Sequence, residues 1–187
     1  MKKVLIVPGL GDHTGYIKKA TRNWPRKYGV EPHVFVFGWS GSVDAYEAKY
    51  KRFLQEVARL AKQDKIAVLG ISAGTALVMN AAIDLPSKID SVINICGRVR
   101  AGKHGIWSFH SFPLHWKCVE ELERKDATKL NPLTIYTPFD EAVPASHVIT
   151  KGAKNKRVFV ALHIPALIWA LNTKGKVISK HIKGASA

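Results

Sequence analysis

Short apolar runs alternate along the chain with longer segments in which apolar residues recur every three or four positions. Runs of four to eight β-branched and apolar residues are typical of buried strands, and the longer period is typical of helices with one buried face. Six runs predict strands, at residues 3–8, 33–37, 65–70, 91–96, 133–137 and 157–162. The alternation therefore predicts an α/β fold, a three-layer sandwich whose six-stranded, mainly parallel sheet is covered by helices on both faces.

The clearest helical segment lies between the second and third predicted strands. Its apolar residues form a single stripe, Val43, Tyr46, Tyr50, Phe53, Leu54, Val57 and Leu60. Either Asp44 or Ser42 just before it offers an N-cap, because a short polar side chain there can accept from the first free amides of a helix. We expect an amphipathic helix at this position.

Residues 97–118 interrupt the pattern with a long segment that has no clear period and contains four aromatic side chains, Trp107, Phe109, Phe112 and Trp116. Loops of this length usually have a function or carry their own packing. We interpret 97–118 as a cap-like excursion from a single domain that covers residues 1–187. The Lys- and Gly-rich tail after residue 172 predicts a short extra strand or a frayed end.

Composition narrows the classes of protein to consider. The 187 residues are 47% hydrophobic, which fits one domain with a sizeable core. No apolar run reaches the roughly 20 residues of a membrane-spanning helix, and Pro8-Gly9 ends the apolar start too early for a signal peptide. Cys96 and Cys118 lack metal-like spacing, so we expect two reduced thiols, a cytoplasmic location and neither metal nor cofactor.

The net charge of +15 is the one unusual feature of the composition. Clustered Lys and Arg residues gain affinity for polyanions by releasing counterions. Here the basic residues are scattered along the chain in small groups, such as Lys18-Lys19 and Lys154-Lys156-Arg157, and no nucleic-acid-binding motif accompanies them. The sequence favours a solvated basic surface over a nucleic-acid partner.

The segment "GISAG", residues 70–74, lies between the third predicted strand and a long apolar helical run. A G-x-S-x-G motif in this context places its serine on a strained turn above the sheet, where the side chain is exposed for reaction. The two glycines permit the turn, because a Cβ at either position would collide with the neighbouring strand or helix. Ser72 is therefore the candidate nucleophile, beside a helix N-terminus that favours developing negative charge.

An alcohol becomes a good nucleophile only when a base removes its proton, so Ser72 requires a histidine and an orienting carboxylate. Asp140 follows the fifth predicted strand and His163 follows the sixth, which brings both to the same edge of the sheet as Ser72. We take these three residues as the candidate catalytic triad.

Other residues compete for two of these roles. Glu141 is the alternative to Asp140 as the acid, and His147 and His110 are alternatives to His163 as the base. Position in the predicted fold favours His163, because it alone follows a predicted strand directly.

An oxyanion formed during acyl transfer requires backbone donors. The amide of Ala73 would supply one and the amide of Leu10, in the glycine-rich loop after the first strand, the other. That loop also has the glycines of a dinucleotide-binding turn, but such a site needs an acid at the end of the second strand, and Phe37 is followed by Gly38-Trp39.

With residues 70–74, "DEAVP" at 140–144 and His163 in order, the sequence resembles the α/β-hydrolase superfamily, in a compact form without a lid. The resemblance implies a minimal α/β-hydrolase fold with strand order 2-1-3-4-5-6. Two departures stand out: Leu162 precedes the histidine where members often have Gly, and the first loop reads Pro8-Gly9-Leu10-Gly11 where lipases commonly have His-Gly.

The resemblance and the residues together predict a serine hydrolase that cleaves a carboxylic ester or thioester of a small-molecule acyl substrate through an acyl-enzyme. Four aromatic residues are candidates to shape an apolar substrate pocket, Trp39, Trp107, Phe109 and Phe112. The aromatic residues of the long loop could equally serve only to pin it to the sheet. Two other functions stay open: acyl transfer to an acceptor other than water, and a non-catalytic protein that binds an anionic partner.

Overall fold

The computed structural model describes residues 1–102, 112–150 and 152–184. Six strands form one sheet: β1 Lys2–Val7, β2 Val30–Val34, β3 Ile66–Ile71, β4 Ile89–Ile95, β5 Leu133–Tyr136 and β6 Lys154–Arg157. The strand order is β2-β1-β3-β4-β5-β6, and every neighbouring pair is parallel. The predicted parallel sheet and its order are confirmed.

Eight α-helices occur in the described ranges: α1 Gly15–Thr21, α2 Trp24–Tyr28, α3 Tyr46–Leu60, α4 Gly74–Asp84, α5 Pro113–Glu123, α6 Ala145–Val148, α7 His163–Thr173 and α8 Gly175–Gly184. Two 3₁₀ turns, Val43–Ala45 and Ala127–Leu130, precede α3 and β5. Each helix in the described ranges is too short or too polar to cross a bilayer.

The sheet separates two hydrophobic cores, because successive side chains of a strand point to opposite faces. On β1, Leu5 and Val7 pack with α3, α4 and α5, whereas Val4 and Ile6 pack with α1, α2, α7 and α8. All four side chains are fully buried. This two-sided burial explains the apolar runs in the central strands, and it confirms the three-layer arrangement.

Helix α3 buries most of the predicted stripe against the first of these cores. Tyr46, Tyr50, Phe53, Val57 and Leu60 are buried, whereas Leu54 is only partly buried. Val43 is exposed in the 3₁₀ turn that follows Ser42, so the regular helix begins three residues later than the stripe.

The two edge strands differ from the prediction. Strand β2 lies three residues earlier than expected, because the apolar Phe35 and Phe37 pack into the core after the strand has ended. Strand β6 consists of four exposed residues, and the predicted run 157–162 lies almost wholly beyond it. Charged edge strands discourage pairing with other chains. A search for apolar runs finds buried segments and not hydrogen-bonded strand pairs. It therefore misses an exposed edge strand such as β6.

The expectations for the tail and the long excursion also need correction. Residues 175–184 form helix α8, which buries Ile178 and Ile182 one turn apart, so the tail contains neither an extra strand nor a frayed end up to residue 184. Helix α5 begins at Pro113, inside the predicted excursion, and its Cys118 carbonyl accepts from the Asn80 side chain at 2.8 Å. Residues 103–111 lie outside the described residues.

Helix α5 places His115 against the core, where the residue is 1% exposed and its ring meets the edge of Trp39 at a centroid distance of 5.9 Å. Burial, followed by the charge of Arg98, lowers the pKa of His115 to about 3. A histidine in an unfolded chain binds a proton near pH 6.5. Between pH 6.5 and about pH 3, His115 therefore binds a proton in the unfolded state but not in the folded state.

We accordingly predict that the free energy of unfolding falls as the pH drops from 6.5 toward 3, by about 1.4 kcal/mol per pH unit from this group. In His115→Gln this contribution is absent, so the dependence between pH 6.5 and 4.5 should be shallower. Urea unfolding of both proteins at several pH values measures the slopes. Equal slopes would contradict the prediction.

Candidate active site

Ser72 follows the last residue of β3 and directly precedes the turn into α4. Its backbone has a φ of +51°, a region that residues other than glycine rarely adopt and that costs on the order of 1–3 kcal/mol when a loop enforces it. The Ser72 amide donates to the Ile95 carbonyl at 2.9 Å, and the Ser72 carbonyl accepts from the Thr75 amide at 3.0 Å. These bonds hold the strained residue in place above the sheet.

The glycines of the GISAG motif are required by close approaches of the backbone. A Cβ on Gly70 would lie 2.4 Å from the Thr75 Cα, and one on Gly74 would lie 2.4 Å from the Val7 carbonyl oxygen. Contacts this short are not compatible with a side chain, because the opposing atoms are backbone. The turn therefore exists only with glycine on both sides of Ser72.

The loop after β1 passes directly against Ser72. A Cβ on Gly9 would lie 2.8 Å from the Ser72 Cβ and 3.3 Å from its Oγ. Strands β1 and β3 are parallel neighbours, so their carboxyl ends bring these two turns together at one edge of the sheet. Ligands bind at this position in open α/β sheets.

The three candidate catalytic residues meet at this edge. The Ser72 Oγ lies 2.9 Å from the His163 Nε2, and the His163 Nδ1 lies 2.8 Å from the Asp140 Oδ2. The side chains of His163 and Asp140 are 8% and 1% exposed, so both are shielded from bulk water. This geometry allows the imidazole to take a proton from the hydroxyl while the carboxylate orients the ring.

Backbone donors hold the Asp140 carboxylate. Its Oδ1 accepts from the amides of Ala142 and Val143, at 3.0 and 2.8 Å, which leaves Oδ2 for the imidazole. Glu141 points to a different group: its Oε2 accepts from the His163 backbone amide at 2.7 Å. The structure thus brings Asp140, and not Glu141, to the imidazole ring. The alternative bases are elsewhere or undescribed: His147 contacts Arg98 at 2.6 Å, and His110 is outside the described residues.

His163 occupies the first turn of α7 and does not follow β6 directly. Leu162 before it has a φ of +71° and a ψ of 149°, a combination that is normally restricted to glycine. A glycine would adopt this conformation without strain. The Leu162 amide donates to the Phe139 carbonyl at 3.0 Å. This bond and the contact between the His163 amide and Glu141 hold Leu162 and the start of α7 in place. Sequence reasoning missed this role of Glu141.

The two proposed oxyanion donors lie beside Ser72. Ala73 immediately precedes α4, where amides point out of the helix end, and Leu10 lines the cavity next to Ser72. Asp12 lies in the same loop as Leu10, and sequence reasoning missed its role. Its carboxylate accepts from three consecutive amides, those of Phe37, Gly38 and Trp39, at 2.9–3.2 Å. Asp12 therefore ties the loop after β1 to the segment after β2.

A cavity of about 400 Å³ opens beside Ser72. Its walls are mostly apolar and come from the loop after β1, the start of α1, the residue before α5, the turn that follows Asp140, and α7. The wall residues are Gly9, Leu10, His13, Tyr16, Phe112, Glu141, Ala142, Val143, Ile164, Leu167 and Ile168. Burial raises the pKa of Tyr16 to about 12, so its hydroxyl is neutral near pH 7. The cavity therefore suits an uncharged, largely apolar group.

The aromatic residues expected to shape the pocket have different positions. Phe112 lines the cavity. Trp39 lies in the core at 2% exposure, where its indole N–H donates to the Pro8 carbonyl at 3.2 Å, so it supports the first loop from behind and is not on the cavity wall. Trp107 and Phe109 lie outside the described residues.

The two cysteine thiols of the chain are buried and poorly suited to act as nucleophiles. Cys96 is free and buried, and burial, followed by the charge of Asp140, raises the pKa of its thiol to about 12. A protonated thiol is a weak nucleophile. Cys118 is likewise free and buried. Across the described residues, no cluster of three or more His, Cys, Asp or Glu side chains could hold a metal ion.

Comparison with solved structures identifies the fold. Est1E from Butyrivibrio proteoclasticus superposes with a TM-score of 0.69 at 18% identity, covering 99% of this chain and 88% of that one. A structure described as LipS and LipT, two metagenome-derived lipolytic enzymes, gives 0.70 at 15% identity, with 98% and 93% covered. The meta-cleavage product hydrolase CumD from Pseudomonas fluorescens gives 0.67 at 12% identity, with 99% and 92% covered.

No protein-family model matches the chain, and no curated protein sequence does either. At these low identities the structural likeness establishes the fold alone. The chain has the α/β-hydrolase fold, as the sequence resemblance implied.

We predict that Asp12→Ala destabilises the protein by about 1–3 kcal/mol, because three amides lose a charged acceptor. Asp12→Asn keeps one acceptor oxygen and should cost less. Urea unfolding measures both free energies. Equal stability of Asp12→Ala and the wild type would contradict the bridging role.

Proposed function

We propose that the protein is a serine hydrolase that cleaves a carboxylic ester or thioester of a small, largely apolar acyl group. The observation that carries the proposal is the continuous hydrogen-bonded path from Ser72 through His163 to Asp140 beside an apolar cavity. The hydrolases and lipolytic enzymes among the structural neighbours support the same class of chemistry.

The first chemical step forms an acyl-enzyme. His163 Nε2 takes the Ser72 proton as the hydroxyl oxygen attacks the carbonyl carbon, and Asp140 stabilises the imidazolium that forms. The carbonyl oxygen becomes an oxyanion, for which the amides of Leu10 and Ala73 are the proposed donors. His163 then gives its proton to the leaving alcohol or thiol as the carbonyl re-forms and the bond to the leaving group breaks.

Water completes the reaction by the reverse use of the same groups. His163 removes a proton from a water molecule that attacks the acyl-enzyme carbonyl, and the protonated ring returns that proton to Ser72 when the acid departs. Because the Leu10 loop is held by Asp12 and the imidazole by Asp140, little reorganisation is needed during either step. Preorganised donors of this kind are typically worth 10²–10³ in rate each.

The cavity indicates which part of the substrate is recognised. Its aliphatic wall on α7, made by Ile164, Leu167 and Ile168, follows the three- and four-residue spacing of one helix face. A buried methylene group contributes about 0.8 kcal/mol when it leaves water. The proposed acyl group is therefore aliphatic or aromatic and uncharged. The Glu141 carboxylate, which also lines the cavity, disfavours an acidic acyl group.

The test of the proposal uses p-nitrophenyl esters and a fluorophosphonate probe. We expect the wild type to hydrolyse the esters and to be labelled at Ser72. Ser72→Ala should lose labelling, and both Ser72→Ala and Asp140→Asn should lower kcat by roughly 10⁴-fold or more, since the triad acts as a unit. Ser40→Ala, which changes an exposed serine after β2, is the matched control and should behave as wild type.

The outcome that would overturn the proposal is a folded wild-type protein that neither reacts with the probe nor hydrolyses any ester. Activity that survives in Ser72→Ala would place the chemistry elsewhere.

The cavity wall makes a separate prediction about acyl length. For the wild type, kcat/KM should rise from acetate to longer esters, by up to about fourfold per added CH₂ until the cavity is filled. Ile168→Trp narrows the cavity and should shift the preference to short esters, whereas Ile168→Ala should shift it to longer ones. Unchanged chain-length profiles in both variants would show that the acyl group binds elsewhere.

A further inference from the structure

The end of the sheet opposite to Ser72, where the strands begin, carries two adjoining concavities. The first, about 1000 Å³, lies under the amino ends of β1, β3 and β4, and the second, about 510 Å³, lies under those of β4, β5 and β6. Asp90 lines both, and the neighbouring residues Lys183 and Gly184 line one each. The two therefore form a continuous surface, which we call the basal groove.

Lysine dominates the basal groove. Eight lysines and two aspartates line it: Lys2, Lys3, Lys62, Lys65, Lys154, Lys156, Lys180 and Lys183, with Asp64 and Asp90. Asp90 pairs with Lys2. Lys3 and Lys65 donate to the carbonyls of Leu60 and Pro86 at 3.2 and 3.0 Å, which positions their ammonium groups without neutralising them. The groove therefore has a large excess of positive charge.

The fold converts scattered basic residues into this single surface. Lys154 and Lys156 share one side of β6, because residues two apart on a strand point the same way. Lys180 and Lys183 lie three apart on α8, on the face opposite to the buried Ile178 and Ile182. The distribution along the chain, which favoured a merely solvated surface, does not show this convergence.

One histidine also lines the groove. His181 lies on α8 next to Lys180, and burial, followed by the charge of Lys154, lowers its pKa. The imidazole is therefore uncharged near pH 7 and leaves the lysines as the groups that meet an anion.

The shape and composition of the groove indicate the class of anion. From β1 to β6 it crosses four strand spacings, about 19 Å, which matches five or six steps of a nucleic-acid backbone at 3.4 Å each. Among the described lining residues none is Phe, Tyr or Trp, so the groove offers no platform for stacking bases. Contact with phosphates, and not with bases, is the mode that such a surface supports.

A flat anionic membrane fits the groove less well. Stable binding to a bilayer adds apolar side chains to the electrostatic attraction. On the described lining only Met1 is an exposed large apolar residue, whereas Phe139, Phe159, Leu162, Ile164 and Ile168 follow the carboxyl ends of β5 and β6. The groove is concave and lined by lysines, which suits an extended polyanionic chain.

We propose that the basal groove binds the phosphate backbone of nucleic acid without base specificity, at the end of the sheet remote from Ser72. The proposal is independent of the proposed hydrolase chemistry. Binding would leave the cavity beside Ser72 open, so a substrate and a nucleic acid can be bound together.

The test measures fluorescence anisotropy of a labelled 20-base-pair DNA duplex of arbitrary sequence between 50 and 200 mM salt. We expect binding at 50 mM, and a slope of log K against log salt of about −4 or steeper, because each phosphate contact contributes about −0.9. Lys180→Gln with Lys183→Gln should weaken binding at least several-fold and reduce the slope by about 2. Ser72→Ala should bind as wild type.

The matched control is Lys18→Gln with Lys19→Gln, which removes the same charge from exposed positions on α1 outside the groove. This variant should keep wild-type affinity and slope. Equal weakening by both double variants would show a response to net charge alone and would overturn the proposal. So would the absence of duplex binding, or binding only to vesicles of phosphatidylglycerol and phosphatidylcholine.

Ester hydrolysis separates this proposal from the previous one. Both double variants should hydrolyse p-nitrophenyl esters as the wild type does, because none of the four lysines contacts the cavity. If the protein binds the duplex but has no esterase activity, the groove proposal stands and only the hydrolase proposal is refuted. The converse result would refute only the groove.

Discussion

The close approach of two backbone turns at the carboxyl ends of β1 and β3 is the constraint on which the site depends. Gly74 lies against the Val7 carbonyl and Gly9 against the Ser72 side chain, at distances that no Cβ would permit. The strained φ of Ser72 is tolerated because the sheet, α4 and the first loop all define its position. The rest of the site is arranged around this contact: Asp12 fixes the loop from behind, and His163 arrives from the other side.

The parallel sheet gives the molecule two chemically distinct ends. At the carboxyl ends of the strands, loops converge on a small apolar cavity with a shielded carboxylate and imidazole. At the amino ends, short connections and α8 leave a broad surface rich in lysine. A parallel arrangement sorts the loops in this way because every strand runs in the same direction. The two proposed binding sites therefore lie at opposite ends of the sheet and would not compete for the same surface.

Sequence patterns predicted the central strands, the strained turn at Ser72 and the residues that the fold brings to it, because each is dictated by local chemistry. Burial on both faces gives β1, β3 and β4 their apolar runs, and the turn at Ser72 needs its glycines. Strand β6 escaped prediction because an edge strand can be wholly charged. The positioning roles of Asp12 and Glu141 were missed because their carboxylates accept from amides 22–27 residues away, contacts that only the folded chain creates. The lysine surface was missed for the same reason.

The strained backbone at Leu162, just before His163, is a weak point in the structure. A leucine in a conformation suited to glycine returns to ordinary backbone angles once its restraints weaken. These restraints include the hydrogen bonds from the Leu162 amide to Phe139 and from the His163 amide to Glu141. The core strands are held by far more interactions. Gentle warming or dilute denaturant should therefore turn the imidazole away from the hydroxyl while the sheet is still intact, so that inactivation precedes melting.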